Sequence, residues 1–267
     1  MVAQSVEDDE EVMGFFEKFS YDTFPSKYLK YLEIPAWDCR EALEEEPVLH
    51  LSDRDVTDDD AVALGRAMRL LQPPQLRRLY LTRNHLGDKG CAALAAGAAA
   101  CPNLEVLYLQ ANRIGDGGAA AIATSMQAAP LWQLVLSDNA LTDEGVRALA
   151  AAARGGGFRA MKALYLDGHR GVTDAGVCAL AEALPSFPAI ETLALQKCGF
   201  GDKGARALAE AIGKGGVFTA GRDNWIYVFD NEIGEEAKSA LREACKGICK
   251  VHTGWPAPVE GVDFEPK

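Results

Sequence analysis

The sequence predicts an α/β solenoid in which parallel strands line a concave face and helices form the convex face. A single sequence unit recurs seven times along the chain. The first half of the unit alternates apolar and polar residues, as a strand does, and the second half has a helical pattern. Since stacked units of this length bury a shared core, the repeats are expected to form one continuous structure.

The unit follows the pattern LxxLxLxxNxLxDxGxxxL, and equivalent positions are 27 to 33 residues apart. The asparagine position falls at Arg54, Asn84, Asn112, Asn139, His169, Cys198 and Asn231. We assign the seven repeats to residues 47–245, a helical acidic N-terminal cap to residues 1–46, and a Pro-rich C-terminal tail to residues 246–267.

The strand half of each unit carries two leucines two residues apart, which point to the same side of a strand and into the core. The chain leaves the strand at the asparagine position. A buried side-chain amide there can bond to backbone groups that the turn leaves unpaired. His169 and Cys198 take this position in two of the units.

The helical half begins at a Thr or Gly followed by an acidic residue, as at Gly87-Asp88. We expect this carboxylate to stabilise the helix in whose first turn it lies, through the helix dipole. A glycine recurs two residues later, as at Gly90, and is expected to let neighbouring helices approach closely. Asp60 and Ala237 replace it in the first and last units, as is typical of end repeats.

These units resemble the ribonuclease-inhibitor-like class of leucine-rich repeats. That class includes the repeat regions of NOD-like receptors, the Ran GTPase-activating protein and, more loosely, tropomodulin. The resemblance covers about Val48 to Leu241. It implies a horseshoe-shaped leucine-rich-repeat solenoid that acts as a protein–protein interaction scaffold, with the partner on the concave face.

The N-terminal segment is expected to close one end of the solenoid core. Ser5 to Asp8 has the pattern of a capping box before an amphipathic helix, and a second helical stretch follows at residues 26–34. The aromatic residues of the segment, including Trp37, would cover the first repeat. A separate docking helix is the alternative.

The charge balance argues against nucleic acid as a partner. The chain has 27 basic and 39 acidic residues, a net charge of −12, whereas a phosphate-binding surface concentrates Lys and Arg. Residues 1–46 hold 4 basic and 13 acidic side chains, so the acidic part is N-terminal. No apolar run approaches the ~20 residues of a membrane span, and the start lacks the pattern of a secretory signal. We therefore expect no membrane partner and a cytoplasmic location, with the nucleus as the alternative.

The seven cysteines are irregularly spaced and are expected to be reduced thiols. Cys91, Cys178 and Cys198 are placed against the core by the repeat. Cys245, Cys249 and His252 offer three zinc ligands, but a fourth is missing nearby, so no metal and no cofactor is predicted. No nucleophile and base are placed together by a motif, and the protein is not predicted to be an enzyme.

The candidate binding surface is the set of outward-facing strand residues. The residue between the two core leucines is tyrosine in four of the seven repeats, and parallel strands ~4.8 Å apart should stack these rings into a nearly continuous stripe. Strand propensity alone is the alternative explanation, because tyrosine is a good strand former. The candidate partner-binding residues are Tyr80, Tyr108, Tyr165, Tyr227, Trp225, Phe229, Arg78, Arg83, Asp138 and Asp167.

The sequence thus predicts a scaffold that binds a protein partner of unknown identity, either as a monomer by itself or as a subunit of a complex. One alternative is a GTPase-activating protein for a small GTPase. Against it, the long acidic C-terminal segment of the Ran activator has no counterpart here, where the acidic residues are N-terminal. A second alternative is a structural subunit of a large assembly.

Overall fold

A computed structural model describes residues 5–20, 38–219 and 222–254. In this part of the chain, strands of three residues alternate with helices. The strands are β1 (Val48–His50), β2 (Arg78–Tyr80), β3 (Val106–Tyr108), β4 (Gln133–Val135), β5 (Ala163–Tyr165), β6 (Thr192–Ala194), β7 (Trp225–Tyr227) and β8 (Lys250–His252). The helices are α1 (Glu10–Phe19), α2 (Cys39–Glu45), α3 (Asp58–Leu71), α4 (Asp88–Ala98), α5 (Asp116–Ser125), α6 (Asp143–Arg154), α7 (Asp174–Ala183), α8 (Asp202–Gly213) and α9 (Glu235–Cys245).

The eight strands form one parallel sheet in chain order, and the predicted α/β solenoid is confirmed. The central residue of each strand pairs in register with that of the next, as Leu79 does with Leu107. From β1 to β7 these residues are buried with the apolar side of the helices in a single core, and Val251 of β8 is partly buried against it. The opposite side of the sheet carries the outward strand residues and is called the concave face below.

The eighth strand lies in the segment that the sequence analysis assigned to the tail. Lys250 and His252 pair with Trp225 and Tyr227, and the Val228 N–H donates to the His252 carbonyl at 2.9 Å. Its only core-side apolar residue is Val251, so the leucine pattern does not reveal it. Residues 255–267, the rest of the predicted tail, lie outside the described residues.

A ladder of side-chain amides runs along the edge of the sheet where the strands end. Asn112 Nδ2 donates to the carbonyls of Leu81 and Leu109 at 2.9 and 3.0 Å, and its Oδ1 accepts from the Leu86 N–H at 3.1 Å. Equivalent bonds are made by Asn84, Asn139 and Asn231. The bond to the turn's own backbone is the predicted one, and the bonds to the neighbouring repeats are an addition by which each amide links adjacent repeats. Where the asparagine is replaced, His169 Nε2 and Cys198 Sγ contact the carbonyl of the preceding strand segment at 2.9 and 3.3 Å.

A second ladder joins the helices. Each helix-start aspartate lies in the first turn of its own helix, as expected, and it also bonds to the next helix, which the sequence analysis did not predict. Asp88 Oδ1 accepts from the N–H groups of Gly115 and Gly118 at 2.7 and 2.9 Å. The carboxylate at the start of α4 thus caps α5, the helix of the following repeat, rather than its own. The same two bonds to the next helix are made by Asp58, Asp116, Asp143 and Asp174.

The recurring glycine makes room for this carboxylate. A Cβ atom on Gly90 would lie 2.4 Å from Asp58 Oδ1 and 2.9 Å from the Asp58 Cα. The second distance involves backbone, so a rotamer change could not relieve both contacts. The glycine is thus required by the bond from the aspartate of the preceding repeat. This bond and the missing side chain together let the neighbouring helices approach closely.

The first repeat has no preceding aspartate and is capped differently. Thr57 and Asp60 form a capping box at the start of α3, and Lys18 Nζ of α1 lies 2.6 Å from the Asp60 carboxylate. The segment before α1 forms the predicted Ser5–Asp8 box, but this box starts a 3₁₀ turn, and Asp9 caps α1. Three phenylalanines of α1 are buried, namely Phe15, Phe16 and Phe19. The predicted stretch at 26–34 and Trp37 lie outside the described residues.

Replacing Gly90 with alanine should lower the free energy of unfolding by about 1–3 kcal/mol, because the added methyl overpacks the contact with Asp58. Gly14→Ala in α1 is the control, since nothing lies within 4 Å of a Cβ atom there. It should be neutral or raise stability by up to ~1 kcal/mol through helix propensity. Urea unfolding measures both; equal effects of the two substitutions would contradict the steric role of Gly90.

Deleting residues 1–46 should yield an aggregating or unfolded fragment. The deletion removes the phenylalanines of α1 and the buried Cys39, Ala42 and Leu43 of α2 from the core of the first repeat. Size-exclusion chromatography and circular dichroism would detect this outcome. A monomeric, cooperatively folded fragment beginning near Val48 would instead show that the segment is an appendage.

Candidate functional site

The predicted column of outward residues exists in the sheet. The strand register places in one line His50, Tyr80, Tyr108, Val135, Tyr165, Ala194, Tyr227 and His252. The four tyrosines are therefore brought to one column. His252 extends it by one strand, and sequence reasoning missed this residue because its strand was assigned to the tail.

Three rings at one end of the column form the N-terminal aromatic cluster. The centroids of His50 and Tyr80 are 5.3 Å apart, and those of Tyr80 and Tyr108 are 4.8 Å apart. The Tyr108 hydroxyl accepts a hydrogen bond from Gln133 Nε2 at 2.8 Å. The cluster presents ring surface together with hydroxyl groups.

Three rings at the other end form the C-terminal aromatic cluster of Trp225, Tyr227 and His252. Their centroids are 5.1 to 5.9 Å apart, with interplanar angles of 10 to 21°. Lys250 Nζ lies 4.3 Å from the Trp225 ring centroid and 2.6 Å from Asp223 Oδ1. Phe229 is half-buried two residues beyond Tyr227.

The stripe, expected to be nearly continuous, is interrupted between these clusters. Val135 and Ala194 occupy the column on either side of Tyr165 and are only 4% and 0% exposed. These short side chains do not reach the height of the rings, and no ring in the described residues stacks on Tyr165. Burial raises the pKa of the Tyr165 hydroxyl to about 12. The column is therefore two aromatic clusters with one tyrosine standing between them.

The charged candidates lie at three places. Arg78 is exposed at the start of β2. Arg83 forms a two-bond ion pair with Asp53, at 2.5 and 2.7 Å. Asp138 and Asp167 lie together farther along the sheet, beyond the ends of β4 and β5.

The cysteines are all thiols, and most are buried. Burial raises the pKa of Cys91, Cys101 and Cys198 to about 12. Cys178 is only half-buried, unlike the core position expected for it, because it faces outward on α7 toward Lys203 and Lys214 of the next helix segment.

Cys245 and Cys249 are neighbours at the end of α9, where the Cys249 N–H donates to the Cys245 carbonyl at 2.9 Å. His252 instead stacks in the C-terminal aromatic cluster. Over the described ranges, no group of three or more His, Cys, Asp or Glu side chains could hold a metal ion. None of the helices in those ranges is long and apolar enough to cross a bilayer.

Comparison with known proteins gives a family match and two structural likenesses. Residues 73–95, 100–123, 131–150 and 189–209 match the model described as a leucine rich repeat. No curated protein matches the sequence. Among solved structures, the chain is similar to the plant peptide hormone receptor RGFR1 in complex with RGF2, with 15% identity and a TM-score of 0.36, over 72% of this chain and 26% of the receptor chain. It is also similar to actin-binding site 2 of leiomodin-1, with 14% identity and a TM-score of 0.38, over 66% and 86% of the two chains. The chain thus spans about a quarter of that receptor chain.

Cys249 should be the first thiol to react with iodoacetamide near neutral pH. The neighbouring Cys245 thiol lowers the pKa of the Cys249 thiol, and Cys249 is half-buried. Burial instead raises the pKa of Cys178, the other half-buried thiol. Mass spectrometry after brief labelling would rank the sites. Cys245→Ala removes the neighbouring thiol and should slow labelling of Cys249. Faster labelling of Cys178 in the native protein would contradict the assignment.

Proposed function

We propose, from the premise that this chain is a leucine-rich-repeat protein, that it binds a protein partner on its concave face. Solenoids of this kind offer an extended surface of regular strands, and partners are generally bound there. The period of 27 to 33 residues and the helical second half support placing the repeats in the ribonuclease-inhibitor-like class.

The observation that carries the proposal is the pair of aromatic clusters on the concave face of the sheet. Tyrosine and tryptophan are enriched in the residues that dominate binding energy at protein interfaces. Their rings bury a large area with few rotatable bonds, and their polar atoms keep hydrogen-bonding capacity for a partner.

The backbone under these rings is held in place before any partner arrives. Each strand is bonded to both neighbours, and the amide ladder fixes the turn that follows it. A preformed surface loses little conformational entropy on binding. This supports recognition by a fixed face rather than by a segment that folds on binding.

The double substitution Tyr108→Ala with Tyr165→Ala should abolish recovery of the partner in affinity purification. Truncating one such ring typically weakens binding by ~2 kcal/mol or more, about thirtyfold. Both side chains point away from the core leucines, so the melting temperature should move little. Mass spectrometry of the recovered proteins would identify the partner.

Leu70→Ala is the matched control, because Leu70 is an exposed apolar residue on α3, away from the sheet. This variant should recover the partner as the native protein does. Unchanged recovery by the folded tyrosine variant would rule out the concave face. Recovery of a small GTPase or of a stable multi-subunit complex would favour one of the two alternative functions.

A further inference from the structure

Two carboxylates lie side by side in the centre of the concave face. The Asp138 N–H donates to the Asp167 carbonyl at 2.9 Å, so the two residues are neighbours on adjacent strand ends. A Cβ atom on Gly168 would lie 2.2 Å from Asp138 Oδ1. The absence of a side chain at Gly168 therefore lets the Asp138 carboxylate lie over the backbone next to Asp167.

This centre has more hydrogen-bond acceptors than donors. Asp167 Oδ1 accepts from Ser137 Oγ at 2.6 Å, and Asp138 Oδ2 accepts from Gln110 Nε2 at 3.2 Å. Gln196 follows Asp167 in the same column, and its buried Oε1 accepts no hydrogen bond within the described structure. Burial raises the pKa of the Asp167 carboxyl, and the charge of Asp138 adds to this effect.

No lysine or arginine of the described residues pairs with either central carboxylate. Elsewhere on the same face, opposite charges are matched within the chain, as in the pairs Arg83–Asp53 and Lys250–Asp223. Within the part of the chain that the structure describes, the two carboxylates of this centre thus lack a lysine or arginine partner.

An aromatic ring stands beside these carboxylates. Tyr165 precedes Asp167 by two residues and so lies on the same side of the strand. Its neighbours in the column, Val135 and Ala194, are short and buried. Tyr165 is half-buried, so part of its ring is open to a side chain of a partner next to the two carboxylates.

We infer that the protein partner places an arginine side chain in this centre, bonded to Asp138 and Asp167 and packed against Tyr165. A guanidinium group offers five donors in a plane, pairs with carboxylates through two parallel bonds and stacks on aromatic rings. A lysine ammonium group is a point charge that lacks the planar match. This inference rests on the proposed function, since it names the chemistry of the partner at the same surface.

Arg78 is a cation on the same face that lies at a distance from this centre. Arg78 on β2 is exposed and has no ion pair in the described structure, and three strand spacings separate β2 from β5, about 14 Å at ~4.8 Å each. The complementary partner surface therefore carries an acidic group near the N-terminal aromatic cluster and the arginine near the middle of the sheet.

The test selects a phage-displayed library of random 12-residue peptides against the full chain. Peptides that bind the concave face are identified by loss of binding to the Tyr108→Ala, Tyr165→Ala variant. We expect these peptides to be enriched in arginine. A selected peptide should lose about tenfold or more in affinity for the Asp138→Asn, Asp167→Asn variant, as for the loss of a charge-assisted pair.

Glu17→Gln with Glu41→Gln is the matched control, because it removes the same charge from exposed positions on α1 and α2. It should change the peptide affinity less than twofold, and replacing the peptide arginine by lysine should weaken binding several-fold. Circular dichroism and thermal melting check that the asparagine variant is folded.

Four outcomes would overturn the inference. Concave-face peptides without arginine enrichment, or arginine peptides that bind the asparagine variant equally well, would leave the proposed function standing and remove the arginine site. Peptides that bind regardless of the tyrosine substitutions, or a library with no binder, would count against the proposed function as well.

Discussion

The bond from each repeat's aspartate to the next helix is the constraint on which the rest of the structure depends. One carboxylate oxygen accepts two N–H groups of the following helix, so consecutive helices are fixed at a single offset. A glycine must then stand in the first turn of that following helix, because a Cβ atom would meet the carboxylate at 2.4 to 3.1 Å in the five repeats that keep it. A helix N-terminus needs its N–H groups satisfied, and here the neighbour satisfies them. Coupling between neighbours is therefore built into every helix start, and the first repeat, lacking a predecessor, has the Thr57–Asp60 box and Lys18 instead.

The amide ladder links neighbouring repeats at the ends of the strands, as the aspartate bonds link them at the helices. Together the two ladders hold the short strands side by side. Between the strand and the asparagine, one residue of each repeat adopts a left-handed backbone with φ of 53 to 82°. Only Gly168 does so without the cost of about 1 kcal/mol that a side chain adds. Each such residue from Asp53 to Lys197 donates its N–H to a carbonyl of the next repeat at 2.9 to 3.0 Å, which offsets part of that cost. Strands of only three residues are thereby kept in register.

The sequence predicts those features of the fold that depend on the type of residue at a fixed spacing. The repeat, the column of tyrosines and the bonds of the asparagine amide all follow from the side to which a side chain points. Sequence reasoning missed the contacts between residues 27 to 33 positions apart. The residues around Asp88 would be the same whether its carboxylate capped its own helix or the next one, so the local sequence cannot tell the two cases apart. It missed β8 because a strand with Val251 as its only core-side apolar residue carries almost no pattern. The sequence shows that Val135 and Ala194 are the short residues of the column. It does not show how far the neighbouring rings extend from the sheet.

The two ladders also explain why the concave face is able to carry an unmatched charge. The two ladders use the amide of the asparagine position, the helix-start carboxylate and the backbone, and neither ladder uses an outward strand side chain. Residues such as Tyr165 and Asp167 are therefore largely released from holding the fold, and the framework tolerates an arrangement that is unfavourable by itself. Two adjacent carboxylates, one of them with a raised pKa, are such an arrangement. A rigid framework keeps them together, and a cationic partner would turn that unfavourable proximity into binding energy.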